Sequence, residues 1–407
     1  MNRVCVVGAG ASGMMAAMYA ARNGAYVTLF EVNDETGKKI LRTGNGKCNF
    51  SNTNMSSEYY NSDSPEFVKR ALERFGFEDL MLCFSRLGLL IREKGGYLYP
   101  YCEQARAVRD VCEAELRSLC VKIRTNSYVN CIVRDEEGGF LISVEGQKER
   151  EHFNKVILAC GGKAGLLKKD RQNGYDLLKT LGVICTELEP GLTKLDCQEN
   201  FLKALNGVRC EANVSLIYDN ENIGSESGEV LFRENGVSGI CIFNLSSYCM
   251  NKDIAAGRIK LSLDLLPGFD EESLTDFLNM RFLVNSDKTV FDFCKGLFAD
   301  ALNDLMIKQS DLDPNAEISK VGRERILEAI LKMKDVTLSV TGKAGFESAQ
   351  VTLGGVNTSD LTEFMELKKI PGLFVVGELV NTDGPCGGYN LQWAFTSGAI
   401  AGEHACY

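Results

Sequence analysis

The chain has 407 residues, with 45 basic and 55 acidic side chains and a net charge of −10. This length suits two or three domains, and the acidic balance, with no dense basic run, argues against a nucleic-acid partner. The 16 cysteines form no CxxC pair and the two histidines, His152 and His404, lie outside any cysteine cluster, so we expect free thiols and no metal centre.

The first predicted element is a strand–loop–helix unit. Arg3–Val7 has the composition of a buried strand, the loop Gly8–Gly13 has the spacing GxGxxG, and a helix follows over residues 14–22. The first glycine permits a sharp turn, the second lets a pyrophosphate approach the backbone, and the third lets the helix pack on the strand. A second strand, Tyr26–Phe30, ends at an acid suited to a ribose 2′-hydroxyl, with no basic neighbour for a 2′-phosphate. The unit predicts a bound dinucleotide, against the alternative of a purely structural turn, with contacts from Gly8, Gly10, Ala11, Ser12, Gly13 and Glu31.

Residues 38–49 form a basic, glycine-containing segment. Its four basic side chains surround the sequence TGNG, an arrangement that indicates a second cradle for phosphates or for a flavin ring. A solvated basic loop is the alternative interpretation. The expected cofactor contacts are Lys39, Arg42, Thr43, Gly44, Asn45, Gly46 and Asn49.

The middle of the chain contains predicted strands and helices. Apolar residues at helical spacing predict a helix over residues 102–120, and residues 122–133 have the pattern of a strand. Residues 139–144 and 155–159 are typical of a small meander, which ends in the tight turn Cys160-Gly161-Gly162 beside the cofactor. Short strands over 191–265, helices over 271–334 and strands at 336–340 and 349–353 complete the prediction.

A second glycine-rich loop lies near the end of the chain. Residues 373–376 (LFVV) predict a buried strand, and the loop 381–389 (NTDGPCGGY) opens onto an apolar helix over about 391–406. The positive end of such a helix suits the N1–C2=O edge of a flavin, which gathers negative charge on reduction. A glycine hinge before a surface helix is the alternative. The expected contacts are Gly377, Glu378 (to ribityl hydroxyls), Gly384, Gly387, Gly388, Tyr389, Asn390 and Leu391.

Together these motifs resemble those of the HI0933-like flavoproteins, a family also described as BaiN-like or aminoacetone oxidase-like, whose members carry FAD. The resemblance covers nearly the whole chain and rests on residues 6–13, 38–52, 228–246, 349–356 and 372–402. It implies an α/β, Rossmann-like FAD-binding domain of the two-dinucleotide-binding-motif type, formed by residues 1–190 and 349–407. The implied insert is a β-barrel over 191–265 and 335–348 with a helical part over 266–334.

The resemblance also adds cofactor contacts. It implies that the backbone of Val129 touches the adenine, and Ala159 and Gly161 belong to the turn expected beside the cofactor. Residues 163–172 (KAGLLKKDRQ) depart from the family pattern of small polar residues and proline, so substrate contacts cannot be carried over from relatives at this loop.

The sequence leaves three functions open. A flavin carries out hydride or electron transfer, and the protein supplies orientation, electrostatics and a proton donor, for which Tyr389 and Lys47 are the candidates. The first function is an NAD(P)H-dependent reductase of a conjugated double bond in a small organic substrate. The second is an oxidase of a small amine such as aminoacetone. The third is a flavin-binding or RNA-modifying protein, against which the acidic charge argues.

The remaining partners follow from what the sequence lacks. No second strand–GxGxxG–helix unit occurs between Cys48 and Leu373, so NADH or NADPH, if used, is expected to bind transiently. No apolar stretch is long enough to cross a bilayer and the first strand starts at Arg3, so we expect a cytoplasmic protein with a small-molecule substrate and no membrane partner.

Overall fold

The computed structural model describes residues 2–165 and 173–407. The chain forms two compact units: the first comprises Met1–Pro190 and Gln350–Tyr407, and the second comprises Gly191–Ala349. The short strands Glu189–Gly191 and Val351–Leu353 lie where the chain passes from one unit to the other. No helix within the described residues is long and apolar enough to span a membrane.

The first unit is built on a parallel sheet. Its five strands pair in the order Leu373–Val375, Lys155–Leu158, Arg3–Val7, Tyr26–Phe30 and Lys122–Arg124. The central strands are buried along almost their whole length, as expected for a sheet covered on both faces. The helices of this unit are Ala11–Arg22, Pro65–Arg74, Phe77–Arg86, Ala105–Ser118, Gly174–Thr180 and Tyr389–His404.

Two of the sequence predictions for this unit are wrong. Residues 122–133 are not one strand, because the chain turns at Asn126, which has a positive φ of 51°, and splits into Lys122–Arg124 and Val129–Arg134. Lys155–Leu158 belongs to the parallel sheet and not to the meander, whose strands are Val129–Arg134, Phe140–Val144 and Glu151–Phe153. Two of the smaller sheets are Ser51–Asn52 with Tyr97–Pro100 and Ile91–Lys94, and Asn61–Ser62 with Thr382–Asp383.

The first helix (Ala11–Arg22) and the last helix (Tyr389–His404) pack with their backbones in contact. A Cβ atom at Gly398 would lie 2.3 Å from the carbonyl oxygen of Ser12, and one at Gly402 would lie 2.3 Å from that of Ala16. Both contact positions advance by four residues, so the helices run in the same direction. The close approach of the two backbones therefore requires glycine at both positions of the last helix.

The second unit contains a closed barrel and a group of helices. The strands follow one another around the barrel as Leu195–Cys197, Gly236–Ser238, Glu221–Arg233, Arg209–Tyr218, Ile259–Asp264 and Val336–Lys343. Buried residues alternate with exposed or half-buried ones in Ile259–Asp264, the pattern of a strand with one face on a core. The helices are Leu202–Leu205, Ile240–Ser247, Glu271–Val284, Val290–Cys294, Asp300–Gln309, Ile318–Val321 and Arg323–Leu331.

Candidate cofactor-binding site

Three predicted contact segments meet at the carboxyl edge of the parallel sheet. Gly8, Ala159 and Gly377 each follow a strand, and the three strands are neighbours in the sheet. A Cβ at Gly8 would lie 2.4 Å from the carbonyl oxygen of Ala159, and one at Gly377 would lie 2.7 Å from the hydroxyl of Ser12. Ligands of open α/β sheets bind outside the carboxyl ends of the strands, so this edge is the expected cofactor site.

The glycines of the first loop have different explanations. Gly8 has a φ of +102°, and a Cβ at Gly13 would lie 1.8 Å from the carbonyl oxygen of Gly8, so both are required by the fold. Gly10 has an ordinary φ of −80°, and a Cβ there would meet no atom of the described residues within 4 Å, apart from its chain neighbours. The space in front of Gly10 is therefore not filled by the protein, which fits the approach of a pyrophosphate.

The start of the first helix is free to bind an anion. Gly10 is the N-cap residue and provides no side-chain hydrogen bond, and the first turn, which contains Ala11 and Ser12, carries no acidic residue. Backbone N–H groups and the positive end of the helix dipole therefore face the open space at Gly10.

Glu31 is a buried acid that shapes the first loop. Its carboxylate accepts hydrogen bonds from the backbone N–H of Ala9 (2.8 Å) and from the backbone and side chain of Asn33 (2.8 and 2.7 Å). Its carbonyl oxygen accepts from the N–H of Ser127 at 2.8 Å. This contact holds the segment that leads to the buried Val129, two residues after Ser127, next to the predicted ribose acid.

Residues 38–49 form a turn with an unsatisfied polar atom. Thr43 is extended, Gly44 and Asn45 share left-handed angles (φ 53°, ψ 41°), and residues 42 and 44–47 are exposed. Asn49 Oδ1 is buried and has no hydrogen-bond partner among the described residues. A bound group with a hydrogen-bond donor would satisfy it, so the residues present at this segment also fit FAD.

Lys39 and Glu378 connect the N-terminal and C-terminal parts of the first unit. The carboxylate of Glu378 forms an ion pair with Lys39 and accepts a hydrogen bond from the N–H of Thr352 at 2.8 Å. The hydroxyl of Thr352 in turn accepts from the N–H groups of Lys163 (2.8 Å) and Ala164 (3.0 Å). A Cβ at Gly162 would lie 2.4 Å from Glu378 Oε1. The turn at Gly161 and Gly162 is thus fixed against Glu378 and Thr352. Residues 166–172 of the loop that departs from the family pattern lie outside the described residues.

The second glycine-rich loop is filled by the protein itself. A Cβ added at Gly384 would lie 2.7 Å from the Cβ of Tyr389, and one added at Gly387 would lie 2.8 Å from the ring of Tyr97. A Cβ added at Gly388 would lie 2.4 Å from the backbone of Ser51. The amide of Asn390 accepts from the N–H of Gly384 (2.9 Å) and donates to its carbonyl oxygen (2.6 Å). Leu391 follows within the last helix and is partly exposed.

The two helix starts have a spacing that suits a long ligand. Ser12 contacts Gly398, which lies nine residues after the start of the last helix at Tyr389. At 1.5 Å per residue, the start of the last helix lies about 12 Å beyond that of the first. Two parallel helix starts at this separation suit two groups of one extended FAD molecule, with its central pyrophosphate at Gly10 and its flavin end at Tyr389.

Both proton-donor candidates have other partners. The phenol of Tyr389 donates a hydrogen bond to the carbonyl oxygen of Asn54 at 3.1 Å, and burial raises its pKa to about 12. Lys47 forms an ion pair with Glu103 at 2.9 Å, and this hydrogen-bonded partner raises the pKa of the ammonium group. Neither arrangement favours proton donation, and the catalytic roles of both residues stay predictions.

Sequence reasoning missed a buried acid in the second loop. Asp383 is 5% exposed, and burial, with Glu378 nearby, raises the pKa of its carboxyl to about 7 although Asn61 donates a hydrogen bond to it at 3.1 Å. The short pairing of Asn61–Ser62 with Thr382–Asp383 places it there. The loop sequence NTDGPCGGY contained the acid, but its burial depends on a strand more than 300 positions away.

Comparison with known proteins identifies the class. Residues 2–404 match the model of the HI0933-like protein Rossmann domain. The chain is 34% identical over 408 residues to the 3-dehydro-bile acid Δ(4,6)-reductase of Clostridium scindens, covering 100% of this chain and 99% of that protein. It is 29% identical over 399 residues to the ribosomal RNA dihydrouridine synthase of Escherichia coli, covering 96% and 95% of the two chains.

A solved structure agrees in fold. The 3-ketosteroid-Δ4-(5α)-dehydrogenase from Rhodococcus jostii RHA1, in complex with 4-androstene-3,17-dione, superposes with a TM-score of 0.51 at 15% identity, covering 100% of this chain and 97% of that one. Fold, site and relatives together define an FAD-dependent oxidoreductase. The chain belongs to the HI0933-like family. The predicted fold class, family and FAD-dependent chemistry are confirmed, whereas the contacts of individual residues stay predictions.

Proposed function

We propose that the protein reduces a conjugated carbon–carbon double bond in a small organic carbonyl compound, with NADH or NADPH as the electron donor. The observation that carries this proposal is the match to the bile acid Δ(4,6)-reductase, which spans both chains almost completely. By its name, that relative acts on a 3-oxo compound with double bonds at positions 4 and 6. A diene conjugated to a ketone is electron-poor and accepts a hydride at its far carbon.

The residues of the first unit have separate roles in this proposal. Gly10 and the first helix hold the pyrophosphate of FAD, Glu31 holds the adenosine ribose, and Asn49 and Glu378 bind the flavin half. When bound, FAD supplies two-electron transfer between the nicotinamide and the substrate. The ion pair of Lys39 with Glu378 joins the N-terminal and C-terminal parts of this unit, so it fixes the two halves of the cofactor site relative to each other.

The nicotinamide donor has no separate nucleotide-binding unit in the sequence between Cys48 and Leu373. We therefore expect it to bind briefly and to leave before the substrate enters, which gives ping-pong kinetics. A stable ternary complex of enzyme, nicotinamide and substrate would contradict this order.

The experiment is a separation of the two half-reactions. The purified yellow enzyme is mixed in a stopped-flow instrument with NADH, NADPH or aminoacetone, and the reduced enzyme is then mixed with a 3-oxo-4,6-diene bile acid or with oxygen. Reduction by a nicotinamide followed by rapid oxidation by the dienone supports the proposal. Reduction by aminoacetone alone, followed by rapid reaction with oxygen, would replace it with the amine oxidase function.

A second candidate is reduction of uridine in ribosomal RNA, which is also the reduction of a double bond conjugated to a carbonyl. The observation in its favour is the near full-length match to two ribosomal RNA dihydrouridine synthases, at 29% and 28% identity. The net charge of −10 argues against it, because RNA binding depends on neutralising phosphates. Dihydrouridine formed in ribosomal RNA by the purified enzyme and a nicotinamide would favour this candidate over the first.

A further inference from the structure

Two tyrosines share one face of a short strand next to the second glycine-rich loop. In Tyr97–Pro100, Leu98 and Pro100 are buried, whereas Tyr97 and Tyr99 are half-buried. Successive side chains of a strand point to opposite faces, so the two tyrosines project together from the side opposite the core. This strand pairs with Ser51–Asn52, which follows the basic segment of the cofactor site.

Tyr97 is held directly against that loop. Its ring lies 2.8 Å from the position that a Cβ at Gly387 would occupy, and the ring of Tyr389 lies 3.5 Å from the same position. Asn52, the strand partner of Tyr97, donates a hydrogen bond from its side chain to the carbonyl oxygen of Gly387 at 3.0 Å. Strand and loop are therefore fixed to each other, and the position of the Tyr97 ring is set by both.

The other polar side chains around this loop are already engaged. Tyr60 donates to the carbonyl oxygen of Tyr389 at 2.9 Å, and the phenol of Tyr59 accepts a hydrogen bond from the side chain of Asn54. Tyr389 and Lys47 have the partners described above. Within residues 2–165 and 173–407, the phenol of Tyr97 has no hydrogen-bond partner, so its donor is available to a ligand bound at the loop.

We propose that Tyr97 is the acid that donates a proton to the carbonyl oxygen of the substrate. This inference rests on the proposed function. As the far carbon of the conjugated system gains a hydride, electron density moves to the carbonyl oxygen, and the O–H bond of Tyr97 breaks while a new O–H bond forms on the substrate. The product is an enol, which tautomerises to the ketone, and the phenolate recovers a proton from water. Over the complete cycle, the nicotinamide loses one hydride equivalent in the first half-reaction and the dienone gains it in the second, so the nicotinamide is oxidised and the dienone is reduced.

Tyr97→Phe tests this directly, with Tyr99→Phe as the matched control. Phenylalanine keeps the ring against Gly387 and removes a hydroxyl that has no partner in the described protein, so the variant is expected to fold and to retain FAD. The phenol of Tyr99 lies on the same face, and burial together with the neighbouring Tyr97 raises its pKa, although the charge of Lys47 acts in the opposite direction. The control thus removes an identical group two residues away.

The first readout is binding without turnover. A 3-oxo-4,6-diene bile acid is titrated into the oxidised holoenzyme in the absence of any nicotinamide, and its ultraviolet absorption is recorded. A phenol that donates to the dienone oxygen shifts this absorption to longer wavelength. We expect the shift in the wild type and in Tyr99→Phe and its loss in Tyr97→Phe, with binding about tenfold weaker.

The second readout separates the half-reactions. In Tyr97→Phe, flavin reduction by NADH or NADPH should be unchanged, while reoxidation by the dienone should be at least about 100-fold slower, as expected for a lost general acid. If reoxidation by the dienone is as fast in Tyr97→Phe as in the wild type, or if it slows in Tyr99→Phe instead, Tyr97 is not the proton donor. Either result would leave the proposed reductase function intact. A wild type that neither binds nor reduces the dienone would overturn the proposed function and the role of Tyr97 with it.

Discussion

The two glycine-rich loops differ in what occupies the space beside their glycines. In the first loop, a Cβ at Gly10 would meet no described atom within 4 Å beyond its chain neighbours. In the second loop, Gly384, Gly387 and Gly388 would each place a Cβ within 2.8 Å of another residue. The first loop is therefore open for a ligand at Gly10, between the packed Gly8 and Gly13, whereas the second is shaped by contacts within the protein at all three of these glycines.

This difference assigns different tasks to the loops. An open helix start with unsatisfied N–H groups can bind phosphate without rearrangement. A loop held by Asn390 and packed against Tyr97 and Ser51 presents a rigid surface, which is what a reacting flavin and substrate require. Substitutions in the second loop should therefore damage folding, and those at Gly10 should damage cofactor binding alone.

The largest effect is expected from Gly388→Val. The residue has a φ of +97°, and its Cβ would lie 2.4 to 2.7 Å from backbone atoms of Ser51, which cannot move as a side chain can. We expect the free energy of unfolding, measured by urea denaturation, to fall by at least about 4 kcal/mol. Gly24→Val is the control, because Gly24 has a φ of +85° but a Cβ there meets no described atom within 4 Å beyond its chain neighbours. Equal losses in both variants would mean that the contact with Ser51 is unimportant.

Gly10→Val is expected to leave the protein folded and to remove FAD. The branched side chain would fill the space proposed for the pyrophosphate, so affinity for FAD should fall at least 100-fold, or about 3 kcal/mol. The measurement is FAD content after gel filtration and titration of the apoprotein with FAD, with thermal unfolding of the apoprotein as the check on folding. Gly10→Ala should give a smaller loss. Full FAD content in Gly10→Val would place the pyrophosphate elsewhere.

The contrast between the loops also explains what could be predicted from the sequence. The GxGxxG spacing and the acid at Glu31 are local features, and they correctly predicted strand, loop and helix in order. The turn at Asn126 was missed because its backbone is held by a hydrogen bond from its N–H to the carbonyl oxygen of Asn33, which is distant in the sequence. Tyr97 and Asp383 were missed for the same reason, since their surroundings are created by Gly387 and Asn61, each separated from its partner by hundreds of residues.

Asp383→Asn should change how stability depends on pH. In the unfolded chain an aspartate ionises near pH 4, whereas burial raises the pKa of Asp383 to about 7 in the folded protein. Its contribution to stability is therefore fully present below about pH 4 and is lost as the pH rises to about 7. Asparagine cannot ionise, so the variant should gain about 3 kcal/mol relative to the wild type between pH 4.5 and pH 8, measured by urea denaturation.

The matched control for Asp383 is Asp311→Asn, an exposed acid in the second unit. Its stability difference from the wild type should stay constant over the same pH range. A constant difference for Asp383→Asn as well would show that the buried carboxyl is ionised throughout, and its place in the rigid loop would then need a cation that compensates its charge.

The smallest effect is expected from Glu31→Ala, which tests the proposed ribose contact next to the first glycine-rich loop. Glu31 holds the N–H of Ala9 at 2.8 Å and is proposed to hold the ribose, so its loss removes a charge-assisted contact but leaves the space at Gly10 unobstructed. FAD should bind about tenfold more weakly, a change of about 1.4 kcal/mol, measured by titration of the apoprotein. Glu35→Ala, which removes an acid four residues further along that pairs with Arg109, should leave FAD affinity unchanged. Losses as large as those of Gly10→Val would mean that Glu31 maintains the shape of the whole loop, and the distinction between an open first loop and a self-supported second loop would no longer hold.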